Sequence, residues 1–189
     1  MRRLLLVRHA PTTATRRAAF PVDEPLDARG WAQAGRLSNA LPTQCDLMSS
    51  PALRCQQTAT AAGFDARIDP RLAECDFGSW AGRSLKEIHG DDTAAVLQWM
   101  TDPDCAPHGG ESLTAFSARV VRWLDEERAR DGCAVAITHG GVVKAAVVHA
   151  LGAPLAAFWR VDVSPLAVTE LHAHRDTWTV TRVNAQLLR

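Results

Sequence analysis

Two short apolar runs constrain what this chain can fold into. Leu4-Leu5-Leu6-Val7 and Ala134-Val135-Ala136-Ile137 show no polar alternation, and each gives way abruptly to polar residues. Runs apolar on both faces suit strands of a parallel sheet covered by helices on each side. The segments between them carry helical signals. Asp27 suits an N-cap, and Trp31, Ala34, Leu37 and Leu41 follow it at a helical period, with Pro42 just beyond. Ser50-Pro51 opens a second helix running to about residue 62, ahead of Gly63. Residues 84–89 and 92–100 read as short helices. Residues 112–130 form a longer amphipathic one, with Phe116, Val120, Trp123 and Leu124 on one side. A last helix follows Gly140-Gly141 and stops at Gly152. Residues 46–49 and 66–68 are further short strands, and 166–172 with 178–184 suit a hairpin. Strands alternating with helices imply a three-layer α/β/α sandwich with a mainly parallel mixed sheet and an antiparallel edge. With no internal repeat or linker, residues 1–189 read as a single domain.

Composition narrows the function classes. The 21 Lys and Arg balance 21 Asp and Glu, which argues against a general nucleic-acid or membrane-surface binder. At 47% hydrophobic and 22% charged, the chain is not a disordered one. The most apolar stretch, residues 140–159, contains Lys144, His149 and Pro154, so no segment reads as transmembrane. The leading apolar run is too short for a signal-peptide core. Five cysteines, odd in number and without a CxxC pair, fit reduced thiols better than a disulfide frame or a zinc site. A cytoplasmic protein is expected.

Three polar clusters follow predicted strands: Arg8-His9-Ala10-Pro11-Thr12, Ser49-Ser50-Pro51-Ala52-Leu53-Arg54 and Thr138-His139-Gly140-Gly141. Ligands of open α/β sheets collect outside the carboxyl ends of the strands. Two Arg and two His at one rim offer guanidinium forks matched to phosphate oxygens and an imidazole able to act as nucleophile. A fourth segment, residues 72–80, carries Glu74 and Asp76, either of which suits proton donation to a leaving oxygen.

These clusters resemble the signatures of the histidine phosphatase superfamily, the phosphoglycerate-mutase-like proteins. Arg8-His9-Ala10-Pro11-Thr12 is similar to its Arg-His-Gly-x-Thr motif. Pro25-Leu26-Asp27-Ala28-Arg29-Gly30 with Gln33-Ala34 resembles its next helix start. Ser49-Ser50-Pro51, Arg54 and Gln57-Thr58-Ala59 resemble its second segment, and Glu74, Phe77-Gly78 and Trp80-Ala81-Gly82 its third. Gly109-Gly110-Glu111-Ser112 and Thr138-His139-Gly140-Gly141 complete the order over about residues 3–152. Each match alone is weak; the ordered set is specific.

The resemblance implies a metal-independent phosphomonoesterase with no cofactor. His9 would be the nucleophile that becomes phosphohistidine. Arg8, Arg54 and His139 would surround the phosphoryl group, and Glu74 would be general acid and then base. Thr15 and Gly140 join Arg8, Arg54 and His139 as substrate-binding candidates, Thr15 standing where many members have a phosphate-contacting Asn. Ala10 replaces the usual Gly, a change that survives if φ there is not positive. Pro11 removes an amide. The segment from Glu74 to Trp80 resembles that of the alpha-ribazole phosphatases and of the broad-specificity phosphatases, and the later Phe158-Trp159-Arg160-Val161-Asp162 also resembles the alpha-ribazole phosphatases of the cobalamin pathway. The substrate is then a small phosphate ester, with alpha-ribazole 5′-phosphate first among the candidates, and the protein a monomer or homodimer. The alternatives are a phosphoglycerate-type phosphomutase and a catalytically weak phosphoester-binding regulator, the latter suggested by Ala10, Pro11 and Thr15.

Other residues carry plainer readings beside these. Trp31, Trp99, Trp123 and Phe116 suit the core, while Trp80 and Trp159 suit a pocket wall or the core equally. His108 and Glu111 either border the substrate or are solvated loop residues. Cys75 reads as a packed thiol, and His172 with His174 as a solvent-facing pair on a late strand.

Overall fold

A computed structural model describes residues 1–42 and 44–186. Its six strands are β1 (Arg2–Arg8), β2 (Asp46–Ser49), β3 (Arg67–Ile68), β4 (Gly132–Thr138), β5 (Ala167–His174) and β6 (Thr177–Gln186). They form one sheet in the order β3-β2-β4-β1-β5-β6. The first four strands are parallel neighbours, while β5 runs antiparallel to β1 and pairs with β6 as the expected hairpin. Among the described residues, the α-helices are α1 (Thr13–Arg16), α2 (Ala28–Gly35), α3 (Leu53–Ala61), α4 (Leu85–Asp91), α5 (Thr93–Thr101), α6 (Leu113–Arg128) and α7 (Gly140–Ala150).

Alternation along the central strands builds the three layers. Leu4 and Leu6 of β1 and Ala134 and Ala136 of β4 pack with Phe116, Val120, Trp123 and Leu124 of α6 and with α7. Their neighbours Leu5, Val7, Val135 and Ile137 turn to the other face, against Ala34 of α2, Leu37, and Cys55 and Ala59 of α3. Because side chains alternate across a strand, four apolar residues in a row cover both faces, and only a strand sandwiched between helices can bury them. A smaller cluster of Phe20, Phe77, Trp80, Ile88, Val96 and Trp99 holds α4 and α5 as a flap beside this main body.

The helix starts follow their caps. The Asp27 carboxylate accepts from Gly30 N–H at 2.7 Å, and Ser112 Oγ accepts from Ala115 N–H at 3.2 Å. α3 begins at Leu53, later than Ser50-Pro51 suggests, because Ser50 remains tied to the sheet through its N–H to Ile137 O (2.9 Å). Trp31 is 38% exposed rather than part of the core. Among the described residues, no helix is long and apolar enough to cross a membrane.

The reading of the cysteines as all reduced is corrected: Cys45 and Cys133 form a disulfide. The cause is strand register. Asp46 pairs with Ala134 in the β2–β4 ladder, so the preceding residues, 88 apart in sequence, lie side by side. Cys55, Cys75 and Cys105 are free.

Candidate active site

The polar clusters meet where β1, β2 and β4 end. The sheet ladder continues one residue past β1, with His9 N–H donating to Thr138 O at 2.9 Å. Ser50 and His139 follow β2 and β4 directly, and Arg54 stands on the first turn of α3. His9, Arg54 and His139 are almost fully buried.

One hydrogen-bond chain sets the tautomers of both rings. A carbonyl only accepts, so the His9 Nδ1 that lies 2.7 Å from Ala10 O carries the proton. Its Nε2 lone pair then accepts from Arg54 Nε–H at 3.2 Å. Arg54 Nη2 donates to His139 Nδ1 at 3.1 Å, which leaves the His139 proton on Nε2, 2.7 Å from Ser50 Oγ. Both rings are neutral in this arrangement. Burial pushes the His9 pKa down to about 3, helped by Arg54 and Arg8, against the Ala10 carbonyl. Burial also carries His139 well below its usual value, with His9 and Arg54 adding to the effect. Neutral His9 presents an unprotonated nitrogen beside two cations, the form able to attack phosphorus.

Arg8 completes the cation pair. Its Nη1 donates to Val163 O, and its Nε is buried without a partner. A cleft of about 280 Å³ is lined by Arg8, His9, Thr12, Thr15, Arg54 and Glu74, among others. Thr15 borders the cleft, but its hydroxyl donates to Thr12 O and accepts from Thr12 N–H, both at 2.8 Å. That pairing leaves it no proton for a phosphate oxygen. Ala10 is not among the residues at positive φ, and its N–H donates to Thr58 Oγ1 at 3.0 Å, so this position does not demand glycine.

Glu74 is held at the N-terminus of α7. Its two carboxylate oxygens accept from Gly141 N–H and from Cys75 N–H, each at 3.1 Å. A Cβ at position 141 would lie 2.1 Å from Glu74 Oε1, so the glycine makes room for this carboxylate. The segment before Glu74 is clamped from below. Arg119 Nη1 donates to the carbonyls of Arg71 (2.8 Å) and Ala73 (3.0 Å), and Thr138 Oγ1 donates to Leu72 O (2.8 Å). Of the two carboxylates considered for proton transfer, Glu74 lines the cleft; Asp76 is exposed and instead accepts from Gly78 N–H.

Neither His108 nor Glu111 borders this cleft. Glu111 pairs with Arg119 at 2.8 Å. His108 is buried, accepts from Gly110 N–H at 3.0 Å and packs on Phe77 and Trp80. Their loop is pressed backbone to backbone on residues 76–78: a Cβ at Gly110 would meet Asp76 O at 2.1 Å. His172 pairs with Glu170 at 2.7 Å.

A second cavity, of about 220 Å³, adjoins the first and shares Arg8 and Glu74 with it. Its walls are aromatic, with Trp159 but not Trp80 among its linings, together with Trp99, Phe116 and Phe158. Gly140 and Lys144 of α7 also face it. Sequence reasoning missed Lys144 and Ser50. The spacing of four from Gly140 to Lys144, which puts both on one helix face, was the available signal for the lysine.

The decisive comparison is with the family: residues 4–186 match the Histidine phosphatase superfamily (branch 1). The chain belongs to the histidine phosphatase superfamily. It is 33% identical to the adenosylcobalamin/alpha-ribazole phosphatase of Escherichia coli, covering 85% of each chain. It is 30% identical to a glucosyl-3-phosphoglycerate phosphatase of Mycolicibacterium vanbaalenii over 94% of each. The solved mycobacterial glucosyl-3-phosphoglycerate phosphatase complexed with VO3 superposes with a TM-score of 0.86 at 29% identity, over 98% of this chain and all of that one. The six-stranded mixed sheet with its helices matches a histidine phosphatase structure in fold, so the α/β architecture read from the sequence holds.

Proposed function

We propose that this histidine phosphatase hydrolyses phosphate monoesters through a phosphohistidine on His9, without a metal ion or cofactor. The observation that carries the reading is the hydrogen bond from His9 Nδ1 to Ala10 O, which leaves Nε2 unprotonated, its lone pair accepting from Arg54. In the first half-reaction Nε2 attacks phosphorus, the P–O bond to the leaving alcohol breaks, and Glu74 gives that oxygen a proton. The Arg54 Nε–H passes from Nε2 to a phosphoryl oxygen as the P–N bond forms, and Arg8 offers its unpartnered Nε to another. Charge placed around the equatorial oxygens is the main source of rate in such transfers. In the second half-reaction Glu74 takes a proton from water, the water oxygen attacks phosphorus, and the P–N bond breaks to release phosphate and neutral His9.

The substrate proposed within this reading is alpha-ribazole 5′-phosphate, hydrolysed in the cytoplasm. The aromatic cavity beside Arg8 and Glu74 supports it, since Trp99, Phe158 and Trp159 suit a flat leaving group. The alpha-ribazole phosphatase relative supports it as well.

The test is a rapid-quench reaction with EDTA present, followed by intact-mass and peptide analysis. The expected result is one phosphoryl group on His9 and loss of turnover of at least about 10,000-fold in His9→Ala, as when other enzymes lose their nucleophile. Near-normal turnover by His9→Ala overturns the mechanism. Hydrolysis of 3-phosphoglycerate in preference to alpha-ribazole 5′-phosphate overturns the substrate.

A further inference from the structure

Lys144 has no role in the chemistry above, yet it stands at the mouth of that chemistry. It lies one turn into α7 from Gly140, whose Cα hydrogen side faces the Arg8 guanidinium: a Cβ there would lie 3.5 Å from Arg8 Nε. The lysine is half-buried and lines the same cavity as Arg8, Glu74 and Asp162. Most donors of the other cations around this cleft are directed within the protein, the buried Nε of Arg8 excepted. Arg54 gives hydrogen bonds to His9, His139 and Val22 O, Arg119 to Glu111 and three carbonyls, and Arg8 to Val163 O. Lys144 makes neither a hydrogen bond nor an ion pair with any of the described residues. Its ammonium lies over the Phe158 ring, 5.4 Å from the centroid.

The two carboxylates whose charge acts on it, Asp162 and Glu74, make no ion pair with it among the described residues. Asp162 uses Oδ1 to accept from Val163 N–H at 2.9 Å and makes no ion pair with Lys144. Both Glu74 oxygens accept from backbone amides. Taking an ammonium partly out of water without a partner is unfavourable, and burial lowers the Lys144 pKa accordingly, though Asp162 and Glu74 oppose that. Such a group gains most from a ligand atom that can accept its hydrogens.

We propose that Lys144 is a specificity-determining residue, donating from its ammonium to an acceptor atom on the leaving alcohol while the aromatic walls hold that alcohol's apolar body. The inference rests on the reading that Arg8, His9 and Arg54 take the phosphoryl group, since that fixes which part of the substrate reaches Lys144. The leaving alcohols that fit have an apolar or flat body and an acceptor oxygen or nitrogen, and a carboxylate acceptor gains more from the ammonium than a neutral one.

The experiment measures dissociation constants by calorimetry on His9→Ala protein, so that turnover does not intervene, with and without Lys144→Met. Three ligands are compared. Phenyl phosphate has no acceptor beyond the ester group, alpha-ribazole 5′-phosphate has neutral acceptors, and phosphoserine has a carboxylate. The expected result is that Lys144→Met weakens the two acceptor-bearing ligands about 10-fold more than phenyl phosphate, the usual scale for a lost hydrogen bond to a charged group. Lys144→Arg restores most of the difference. A ten-fold larger effect on phosphoserine that shrinks with salt identifies the acceptor as anionic. Equal weakening of all three ligands reduces Lys144 to a support for the Phe158 wall and overturns the proposal, as does no weakening at all. Turnover by the His9→Ala protein itself reports separately on the phosphohistidine reading, whichever way Lys144 falls.

Discussion

The two halves of the cleft are built by opposite means. In the phosphoryl half, His9, Arg54 and His139 sit directly at strand ends or on the first turn of a helix, and a single chain of hydrogen bonds runs from Ala10 O to Ser50 Oγ. In the leaving-group half, the walls come from α5, α6 and the turn of 3₁₀ helix at Leu155–Arg160, held by ring contacts such as Trp99 on Trp159 at 4.6 Å. Hydrogen bonds specify direction, whereas ring packing fills space and adapts to shape. On the proposed mechanism the difference separates duties: the first half would fix geometry at phosphorus for any ester, and the second would select among esters. Trp99 belongs to the smaller aromatic cluster, whereas Phe116 and Phe158 belong to the main core, so the selecting half joins the two clusters.

Arg54→Ala strikes the first half hardest. It removes charge at the phosphoryl group and also the donor that orders both rings, so kcat falls about 100- to 1,000-fold, the range for a removed transition-state donor. Steady-state kinetics on phenyl phosphate and alpha-ribazole 5′-phosphate check it. The two esters lose rate by the same factor if the halves are separate in function. Losses that differ ten-fold between them break the comparison.

Acid should separate the halves by their protons. His9 is neutral in the fold down to about pH 3 but titrates near 6.5 once unfolded. Between those values the unfolded chain holds the extra proton, so stability falls as pH drops from 6.5 and is unaffected by this ring above it. Each fully buried ring of this kind contributes about 1.4 kcal/mol per pH unit in that window. His139 is shifted in the same direction and adds to the slope. Denaturant melts from pH 4 to 7 check it: His9→Asn flattens the slope by about one proton, and an unchanged slope means the ring is charged in the fold.

The same contrast explains what could be read in the sequence. The phosphoryl half is encoded locally: a buried strand followed by Arg8-His9, another followed by His139-Gly140-Gly141, and a glycine that leaves room for a carboxylate. Such features are contiguous, so apolar runs and ordered motifs expose them. The leaving-group half is assembled from Trp99, Phe116, Lys144 and Phe158, residues on four separate elements with ordinary helical spacing. Nothing in a single segment distinguishes a wall residue from a core residue, which is why Trp80 and Trp159 looked alike and only Trp159 lines the cavity. Glu111 sits in a segment that resembles a family motif and His108 just before it, yet Glu111 pairs with Arg119 and His108 packs on Phe77 and Trp80. Thr15 occupies a matching position with its hydroxyl already spent on Thr12. Strand register defeated the reading of the cysteines, because 88 residues separate two side chains that the sheet makes neighbours.

That disulfide provides the smallest effect expected on either half. Cys133 lies at the start of β4, while Thr138 and His139 lie at its end, so the whole length of the strand separates the bridge from the cleft. A cross-link closing a loop of this length contributes up to about 4–5 kcal/mol by restricting the unfolded chain. Its removal acts on the unfolded ensemble and leaves the strand ends where the β1 and β2 ladders hold them. Cys45→Ser/Cys133→Ser should therefore unfold at lower denaturant concentration, yet keep kcat/KM within about two-fold for both test esters, a small change on the scale where 1.4 kcal/mol is ten-fold. Thiol titration of the denatured wild-type protein, without reductant, should find only the thiols of Cys55, Cys75 and Cys105. Finding all five free would show that the bridge is open in the compartment or preparation at hand. A loss of activity confined to one ester would mean that strain at the far end of β4 reaches the leaving-group wall through α7 and not the phosphoryl half beside it, and the division between the halves would have to be redrawn along that helix.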